Sequence, residues 1–448
     1  MSSLEAEELV DRIWARDPSI WTGDDEGHWL GWLDEPARML ERLDELEGLA
    51  SDFDDVVWLG MGGSSLAPEV IRRTFGIKRF HVLDTTHPHA IRRLEEGLEL
   101  DRTLIVAASK SGTTLETRCQ LDYFLARGGT FAAVTDPGSE LEQYANEREF
   151  AWVVPGEPTI GGRYSALSPF GIVPAVLMGL DARTLLERAD SMSQWCRLGE
   201  ENPGFMFGLE LGDGWSSGRD KVCIDETPGG FGLWAEQLIA ESTGKHGKGL
   251  IPAPGEDPDA GPDRQHGGVR LDDPNDLGAE FLRWEFATAV AGSILGINPF
   301  DQPDVQAAKD RTAALLRDAK DADPATEPEG SLDELLGAAE PPQYVAIQAF
   351  IDPAREGELD PLVHRVRETG CIVTKGLGPR YLHSTGQLHK GGPPSILAVQ
   401  VVDDFGEELE IPGRDFGFRR LIAAQAAGDL EALKERGRQA CRVRLEDL

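Results

Sequence analysis

Short apolar runs alternate with longer segments of helical spacing along most of the chain. One such run is residues 104–108, five apolar residues in succession, which indicates a strand buried on both faces of a sheet. Residues 115–124 follow it with apolar positions at the spacing of a helix. Strands that alternate with helices favour right-handed crossovers and a parallel sheet, with ligands at the carboxyl ends of the strands. The pattern therefore predicts an α/β fold.

The same pattern predicts the boundaries between domains. Residues 1–50 have apolar positions at helical spacing and are predicted to form a helical packing layer. Two α/β units are predicted at residues 51–195 and 196–318, and an acidic linker rich in Pro, Ala and Gly at residues 319–342. Residues 343–448 are predicted to form a small α/β module of their own. The predicted strands are residues 56–59, 80–84, 103–108, 130–134, 221–225, 344–350, 371–374, 396–402 and 442–445.

The charge of the chain narrows the classes of partner. Its 448 residues carry 79 Asp and Glu against 44 Lys and Arg, which gives a formal net charge of −35. This excess of negative charge argues against nucleic acid or an anionic membrane surface as a partner. An anionic substrate would therefore need a local cationic site. The scarce lysines in glycine-rich or hydroxyl-rich stretches are the first places to look for one.

Composition also predicts the compartment. No run reaches the roughly 18 apolar residues that a membrane helix needs, and the first residues are acidic and amphipathic, unlike a signal peptide. The five cysteines are far apart and include no C-x-x-C pair, which predicts a reducing environment, no disulfide framework and no zinc site. We therefore expect a cytoplasmic protein without a bound metal.

A cluster of hydroxyls separates the predicted strand 103–108 from the helix that follows it. Its members are Ser109, Lys110, Ser111, Gly112, Thr113 and Thr114. The amino end of a helix offers unpaired N–H groups and a positive dipole, which suit a phosphate dianion. Gly112 allows the backbone to approach a ligand, and Lys110 adds a point charge. The alternative is a helix-capping cluster with a spare lysine, since serine and threonine are common at helix starts.

A glycine-rich turn follows the predicted strand 56–59. Gly60 and Gly62, with Asp84 at the end of the next strand, are similar to a dinucleotide-binding fingerprint. The sixth position of that fingerprint is Ser65, however, where glycine or alanine is expected. Together with the hydroxyl-rich turn, the pattern favours two small anionic or polyhydroxyl contacts over one pyrophosphate. A dinucleotide cofactor is therefore the weaker interpretation.

Four motifs in order carry a resemblance to a known family. Residues 60–68 (GMGGSSLAP) and 109–117 (SKSGTTLET) resemble the sugar isomerase domain, which binds sugar phosphates. Residues 161–171 (GGRYSALSPFG) and 298–309 (NPFDQPDVQAAK) resemble the two signatures of phosphoglucose isomerase. The resemblance covers the chain from about residue 56 to residue 309.

The resemblance implies a fold and a reaction. The fold would have two doubly wound parallel sheets of the sugar isomerase type with helical layers, plus the small carboxyl-terminal module. The reaction would be the reversible isomerisation of glucose 6-phosphate and fructose 6-phosphate through an enediol(ate), without metal or cofactor. A homodimer is also implied, because sites of this family borrow residues across the interface. Residues 343–448 resemble the tail of isomerases that some bacteria fuse to transaldolase, which leaves association with a separate transaldolase open.

The resemblance also assigns residues that bind substrate. They are Gly63 and Ser64 along the sugar, and Ser109, Lys110, Ser111 and Thr114 in the phosphate cradle. The strand–helix pattern indicates the same cradle independently. Ser111 and Thr114 are one helical turn apart in sequence, a spacing at which both hydroxyls would face one phosphate.

The proton-transfer base is assigned to Glu241 by resemblance. Gln237 and Glu241 match the Gln-x-x-x-Glu of the family, which also makes Gln237 a substrate contact. The pair precedes the glycine- and lysine-rich stretch 244–249, where a helix would end near the site. The alternative is an exposed helix carboxylate, with Glu236 as an adjacent competitor.

Two cationic residues complete the implied chemistry. Arg163 follows two glycines that leave room for its guanidinium to reach a ligand, and by resemblance it stabilises enediolate charge. The alternative is a structural arginine that bonds loop carbonyls. Lys309 is a ring-opening residue by resemblance, and it would project back towards Gln302, a substrate contact, if a helix begins near residue 303. Gln306 stands where the family usually has glutamate.

Three histidines are candidates for the ring-opening role. The family commonly places it between the base and the Phe-Asp-Gln motif, from the neighbouring subunit, and only His246 and His266 lie in that interval. His383, far downstream, lies in a Leu-His-Ser-x-Gly-Gln stretch that resembles compact bacterial members. We therefore assign the role to His383, in a loop that would fold over the sugar. A chain that ends near Asp333 is expected to be soluble but poorly active.

Two other functions compete with this interpretation. A non-catalytic sugar-phosphate sensor would need the hydroxyl cluster but not Glu241, Arg163 and Lys309 together. An isomerase that also accepts mannose 6-phosphate is the second alternative, and Thr113 and the stretch around Ser165 do not decide it.

Overall fold

The computed structural model describes residues 3–49, 53–199, 201–304, 306–318 and 326–448. Helices and parallel sheets alternate through these parts of the chain. The helices are α1 (Ser3–Trp14), α2 (Glu35–Glu47), α3 (Leu66–Thr74), α4 (Pro88–Glu96), α5 (Leu115–Leu125), α6 (Glu140–Glu147), α7 (Pro169–Leu177), α8 (Ala182–Trp195), α9 (Pro203–Ser216), α10 (Gly232–Thr243), α11 (Asp276–Leu295), α12 (Gln306–Asp318), α13 (Leu332–Gly337), α14 (Asp360–Glu368), α15 (Gly386–Gly391) and α16 (Phe418–Glu435).

The first sheet has five parallel strands in the order β2-β1-β3-β4-β5. These are β1 (Asp55–Leu59), β2 (Phe80–Leu83), β3 (Thr103–Ala108), β4 (Thr130–Thr135) and β5 (Val153–Pro155). The apolar runs 56–59 and 104–108 are buried throughout, as their composition predicts. Because the chain crosses to opposite sides of β1, a crevice opens at the carboxyl ends of β1 and β3.

Two further parallel sheets follow. The second has the order β7-β6-β8 and contains β6 (Lys221–Ile224), β7 (Ile251–Pro254) and β8 (Arg264–Gly267). The third has the order β10-β9-β11-β12 and contains β9 (Tyr344–Phe350), β10 (Ile372–Leu377), β11 (Ile396–Val402) and β12 (Gln439–Arg444). The predicted α/β fold with parallel sheets is confirmed, whereas the predicted domain boundaries stay predictions.

The strand predictions fail at the edges of the sheets. Three edge strands were not predicted, because none contains an apolar run long enough to indicate a strand: β5 (VVP), β7 (IPAP) and β8 (RQHG). β12 begins three residues before the predicted strand 442–445 and ends one residue earlier, since only Cys441 and Arg442 within it are buried. An edge strand pairs on one side only, so its pattern carries less information than that of a central strand.

The long helix α11 forms the centre of the largest apolar core. It is buried on nearly all sides, including Phe281, Trp284 and Phe286, and it packs against α8, α9 and α10. A helix that is apolar all round belongs in a protein interior. It ends at Gly296, whose left-handed φ of 65° closes the helix and turns the chain towards residues 298–302.

The carboxyl-terminal module shares a core with the rest of the chain. Phe418 and Leu421 of α16 pack in one apolar cluster with Val57 and Ile105 of the first sheet. A second cluster joins the second and third sheets. The expectation of a soluble chain that ends near Asp333 is therefore revised, because such a chain would expose one face of the first sheet to water.

Among the helices of the described ranges, none combines the length and the apolar character that a membrane span requires.

Candidate functional site

Three distant segments meet at the carboxyl end of β1. The chain turns tightly at Gly62–Ser64, and Gly62 adopts a positive φ of 53°. A Cβ atom on Gly62 would collide with the carbonyl oxygen of His383, and one on Gly63 would collide with that of Gly162. Glycine is required at both positions, because the other two segments approach the turn too closely for a side chain.

The hydroxyl cluster lies at the carboxyl end of β3, before α5. Ser109 Oγ lies 3.0 Å from Thr114 Oγ1 and accepts a hydrogen bond from the backbone N–H of Gly112. Ser111 is exposed and pairs instead with Thr113, at 2.9 Å between their hydroxyl oxygens. Because α5 begins only after Thr114, Ser111 lies outside the helix, and the assumed one-turn spacing of Ser111 and Thr114 does not hold.

Lys110 lies at the same loop but is held by other groups. Its Nζ donates to Asp136 Oδ1 at 2.8 Å and to the carbonyl oxygen of Glu157 at 2.9 Å. Burial raises the pKa of the Asp136 carboxyl, and the Lys110 charge opposes this shift. Lys110 therefore enters the site as part of an ion pair, and its contact with a phosphate stays a prediction.

Glu241 lies near the end of α10 and is fixed by its neighbours. Gln237, one turn earlier, donates from Nε2 to Glu241 Oε2 at 3.0 Å and to the carbonyl oxygen of His383 at 2.8 Å. The side chain of Glu241 is only 12% exposed, so it is not the exposed helix carboxylate of the alternative interpretation. Glu236 is buried, and no arginine of the described residues lies at ion-pair distance from its carboxylate. Burial raises the pKa of Glu236 to about 8.

Arg163 serves both roles considered for it. Its side chain is 2% exposed, and Nη1 lies 3.7 Å from Glu241 Oε1 and donates to Gln302 Oε1 at 2.8 Å. Nη2 donates to the carbonyl oxygens of Pro299 and Asp301, each at 2.8 Å. The arginine thus binds loop carbonyls and presents its charge to the predicted base.

His383 reaches this group from the carboxyl-terminal module of the same chain. Its Nε2 lies 2.8 Å from Glu116 Oε1, and the same oxygen accepts a hydrogen bond from Gln425 Nε2 at 2.7 Å. A carboxylate partner fixes the orientation and tautomer of an imidazole. With Nε2–H donated to Glu116, Nδ1 of His383 carries the lone pair.

The two other histidines lie elsewhere. His266 is 58% exposed and pairs through Nε2 with Asp225 Oδ1 at 2.7 Å, and His246 is exposed with a positive φ of 55°. In the described ranges, neither makes a hydrogen bond or an ion pair to Glu241 or Arg163. The geometry thus favours the assignment of His383.

Gln302 and Lys309 lie at the entry to α12. Gln302 accepts the hydrogen bond from Arg163 and so joins the group around Glu241. Lys309 is in the first turns of α12, but its side chain lies outside the part of the chain that the structure describes. Its role stays a prediction.

Two residues of the site were not singled out from the sequence. Glu116 lies in the hydroxyl-rich motif, one position past the helix start, and pairs with a histidine 267 positions away. Lys245 is fully buried beside Arg163 and donates to Asp301. The glycine- and lysine-rich stretch after Glu241 could have identified Lys245 as a site residue. For Glu116, its place in the hydroxyl-rich motif was the one sequence feature that pointed to the site.

Each cation of the site faces a carboxylate. The pairs are Arg163 with Glu241, Lys245 with Asp301, Lys110 with Asp136, and His383 with Glu116. Each pair places a cation at the site of an otherwise acidic chain, and its carboxylate fixes where that cation lies. A carboxylate base beside a permanent cation, with a histidine–carboxylate pair and a hydroxyl loop at a helix start, suits proton transfer on an anionic substrate.

Comparison with known proteins agrees with this geometry. Residues 45–203 match the family model described as phosphoglucose isomerase. A glucose-6-phosphate isomerase of Synechococcus is 34% identical over 215 residues, which cover 43% of this chain and 40% of that protein. A probable glucose-6-phosphate isomerase of Methanococcus maripaludis is 28% identical over 279 residues, which cover 57% of this chain and 62% of that protein. The chain thus spans about half the length of the curated relatives it matches.

A solved structure also resembles this one. The crystal structure of a glucose-6-phosphate isomerase from Chlamydia trachomatis superposes with a TM-score of 0.51 at 19% sequence identity. The superposition covers 64% of this chain and 74% of that chain. At this identity the likeness supports the fold alone.

Proposed function

We propose that this chain, which belongs to the phosphoglucose isomerase family by its residues 45–203, interconverts glucose 6-phosphate and fructose 6-phosphate. The observation that supports this best is the grouping of Glu241, Gln237, Arg163 and His383 at one crevice. Three segments far apart in sequence supply these side chains, since Gln237 and Glu241 share α10. A chance arrangement would not place the predicted base, its cation and its histidine together.

Ring opening is the first step of the proposed reaction. The C1–O5 bond breaks as the O1 hydroxyl loses its proton and forms the C1=O1 double bond, and O5 gains a proton. His383 Nδ1 exchanges one of these protons with the sugar, and Glu116 holds the imidazole in place. Lys309 is the proposed partner of His383 in this step, by resemblance to the family. The open-chain aldose then lies between the turn at Gly63 and the carboxylate of Glu241.

Proton transfer between C2 and C1 is the second step. Glu241 removes the proton from C2, the electron pair of that C–H bond forms the C1–C2 double bond, and negative charge develops on O1. A proton passes from the O2 hydroxyl to O1 in the enediolate. The same carboxylate then returns its proton to C1 as the C2=O2 double bond forms, which gives the ketose. Arg163 stays protonated throughout and stabilises the charge on the enediolate oxygen.

The phosphate anchors the substrate at the amino end of α5 in this proposal. The hydroxyls of Ser109 and Thr114 lie together immediately before that helix. A sensor would need this anchor alone. The acid–base groups beside it support a catalyst over a sensor.

The cellular setting is part of the proposal. We propose a cytoplasmic enzyme of glycolysis and gluconeogenesis that forms a homodimer, on the resemblance to the family. Light scattering of the purified protein measures the oligomeric state directly. A monomer with full activity would contradict the dimer without affecting the reaction, because His383 comes from the same chain as Glu241.

One assay tests the reaction. Fructose 6-phosphate is supplied as substrate, and the glucose 6-phosphate formed is oxidised by a coupled dehydrogenase that reduces NADP. We expect steady turnover without added metal, and an equilibrium between the two sugars reached from either side. Absence of turnover by a folded protein in both directions would contradict the proposed function.

A further inference from the structure

A second buried cation lies beside the proposed site. Lys245 follows α10 in a tight loop and is fully buried. Its ammonium group donates to the backbone carbonyl oxygens of Asn298 and Asp301. A charged group in such a position needs strong partners, because its removal from water costs several kcal/mol. The partners therefore indicate what the residue does.

All three donors of Lys245 are directed at one segment, residues 298–301. Nζ donates to the carbonyl oxygen of Asn298 at 2.7 Å, to that of Asp301 at 2.6 Å and to Asp301 Oδ1 at 2.5 Å. The carboxylate of Asp301 is 41% exposed, so the ion pair spans the boundary of the interior. Lys245 thus ties the end of α10 to the stretch that enters α12.

Arg163 binds the same segment from the other side. It donates to the carbonyl oxygens of Pro299 and Asp301, so the Asp301 carbonyl is shared by both cations. The next residue, Gln302, accepts a further hydrogen bond from Nη1 of Arg163. Nε of Arg163 donates to Ser242 Oγ on α10 at 2.9 Å, so this end of the guanidinium is fixed beside Glu241. A shift of residues 298–301 would therefore turn the Nη atoms about Nε and move the Gln302 amide relative to Glu241.

We propose that Lys245 is a positioning residue, whose ammonium fixes residues 298–301 and thereby sets the distance between Arg163 and Glu241. The inference rests on the proposed isomerase function. It assigns Lys245 no contact with substrate. Its effect is on the transition state, where the charge that Arg163 stabilises develops.

The protonation of Lys245 should therefore be visible in the pH dependence of turnover. The pKa of Lys245 is lowered to about 8, mainly by burial and also by the nearby Arg163 charge, while Asp301 and Glu241 oppose the shift. As the pH rises through this value the ammonium loses its charge and one donor. Turnover should decline with it.

The test compares Lys245→Met with Lys248→Met. Lys248 lies in the same loop and bonds the carbonyl oxygen of Leu295, so it is a matched control that leaves residues 298–301 in place. We expect Lys245→Met to lower kcat about 100-fold, the effect of a small misplacement of catalytic groups. KM should stay within a factor of about three, because the phosphate loop is untouched. Equal kcat values for the two variants would overturn the inference.

A second variant keeps the test decisive if Lys245→Met does not fold. Asp301→Asn removes the carboxylate that raises the pKa of Lys245, while an amide oxygen still accepts a hydrogen bond. The alkaline decline of kcat should move to lower pH in this variant. An unmoved decline would overturn the inference. Wild-type protein without isomerase activity would instead contradict the proposed function, so the two failures are distinguishable.

Discussion

Glu241 is held from two sides, and this limits what its carboxylate can do. Gln237 donates to one oxygen, and the guanidinium of Arg163 lies 3.7 Å from the other. Oε1 therefore faces the cation without a short hydrogen bond to it. An oxygen placed in this way remains available to accept a proton from carbon.

Replacement of Glu241 tests this role. Glu241→Gln keeps the shape of the side chain but removes the base, so kcat should fall by about 10²- to 10⁴-fold. The inhibition constant of 6-phosphogluconate should change little. Glu236→Gln is the matched control, since burial raises the pKa of Glu236 to about 8 and the residue is already uncharged at neutral pH. Activity of Glu241→Gln within tenfold of wild type would end the assignment.

The histidine can be tested separately from the base. His383→Ala should slow turnover of the closed-ring sugar and spare proton exchange on the open-chain form, because Glu241 and Arg163 are untouched. NMR measures proton exchange on the open-chain form through the exchange of the C1 proton with deuterated solvent. His266→Ala serves as the control, because this residue pairs with Asp225 outside the group. If His266→Ala shows the selective loss instead, the role passes to His266.

The sequence predicted the residues that lie in motifs and missed those defined by long-range pairing. Glu241, Arg163 and Gln302 were assigned by motif, and the structure brings them together. Lys245 was not singled out, since a lysine in a glycine-rich loop is ordinarily exposed, and only the packing of residues 298–301 over it makes it buried. The partner of His383 could not be found from spacing, because Glu116 lies on α5 and His383 lies 267 positions away, in the turn after β10.

The loop between β3 and α5 shows how an element boundary changes a prediction. Thr114 is the residue before the helix, and its hydroxyl pairs with Ser109, whereas Ser111 points to Thr113 on the exposed side. The proposed phosphate cradle therefore combines a turn and a helix start. The helix start predicted at residue 115 is correct, but the spacing argument treated Ser111 as helical although it precedes the helix.

A double variant tests the cradle. Ser109→Ala with Thr114→Ala should raise KM for fructose 6-phosphate and weaken inhibition by 6-phosphogluconate, because both ligands lose phosphate contacts. Ser331→Ala is the control: it removes a helix-capping hydroxyl remote from the site and should cost about 1 kcal/mol of stability with KM unchanged. An unchanged inhibition constant in the double variant would show that the phosphate binds elsewhere.

Buried carboxyl groups on two helices, α2 and α11, make the unfolding free energy depend on pH. Burial raises the pKa of Glu35, on α2, to about 7, although Arg38 opposes the shift. Glu285, on α11, is fully buried, both of its oxygens lack a hydrogen-bond partner among the described residues, and burial raises its pKa well above the ordinary value. Both groups are protonated in the folded protein at mildly acidic pH.

The sign of the pH effect follows from these shifts. The folded state holds the Glu35 proton more tightly than the unfolded state, so the stabilisation is full below pH 4.5 and is lost as the pH rises through about 7. The shift corresponds to at most about 3 kcal/mol. Relative to wild type, Glu35→Gln should flatten the decline of the unfolding free energy between pH 5 and pH 8, measured by denaturant titration. The exposed Glu45→Gln is the control, and an identical decline in all three proteins would contradict the coupling.

The overall fold was easier to predict than the way its parts join. Strands buried on both faces reveal themselves as apolar runs, and this sufficed for β1, β3, β9 and β11. Contacts between domains leave no periodic signal. The module was predicted as an appendage that folds a loop over the site, yet α16 also packs on the first sheet and Gln425 hydrogen-bonds Glu116.

Truncation of the module tests this shared core. A chain that ends at residue 326 would lack α16, whose Phe418, Leu421 and Ala424 cover Val57 and Ile105. Each large buried side chain removed costs about 2 to 5 kcal/mol, and a typical domain is stable by only 5 to 15 kcal/mol. We therefore expect the truncated chain to aggregate or to bind an apolar dye strongly.

Residues 327–448, supplied as a separate polypeptide, should prevent this aggregation and dye binding. Co-expression of residues 1–326 with residues 327–448 should give a soluble complex with isomerase activity, because the contacts of the shared core do not depend on chain connection. His383 would then reach the group around Glu241 from a separate polypeptide. His383→Ala in the second fragment should therefore abolish the restored isomerase activity on the closed-ring sugar. A truncated chain that is soluble, compact and dye-free by itself would show that the module contributes only its loop.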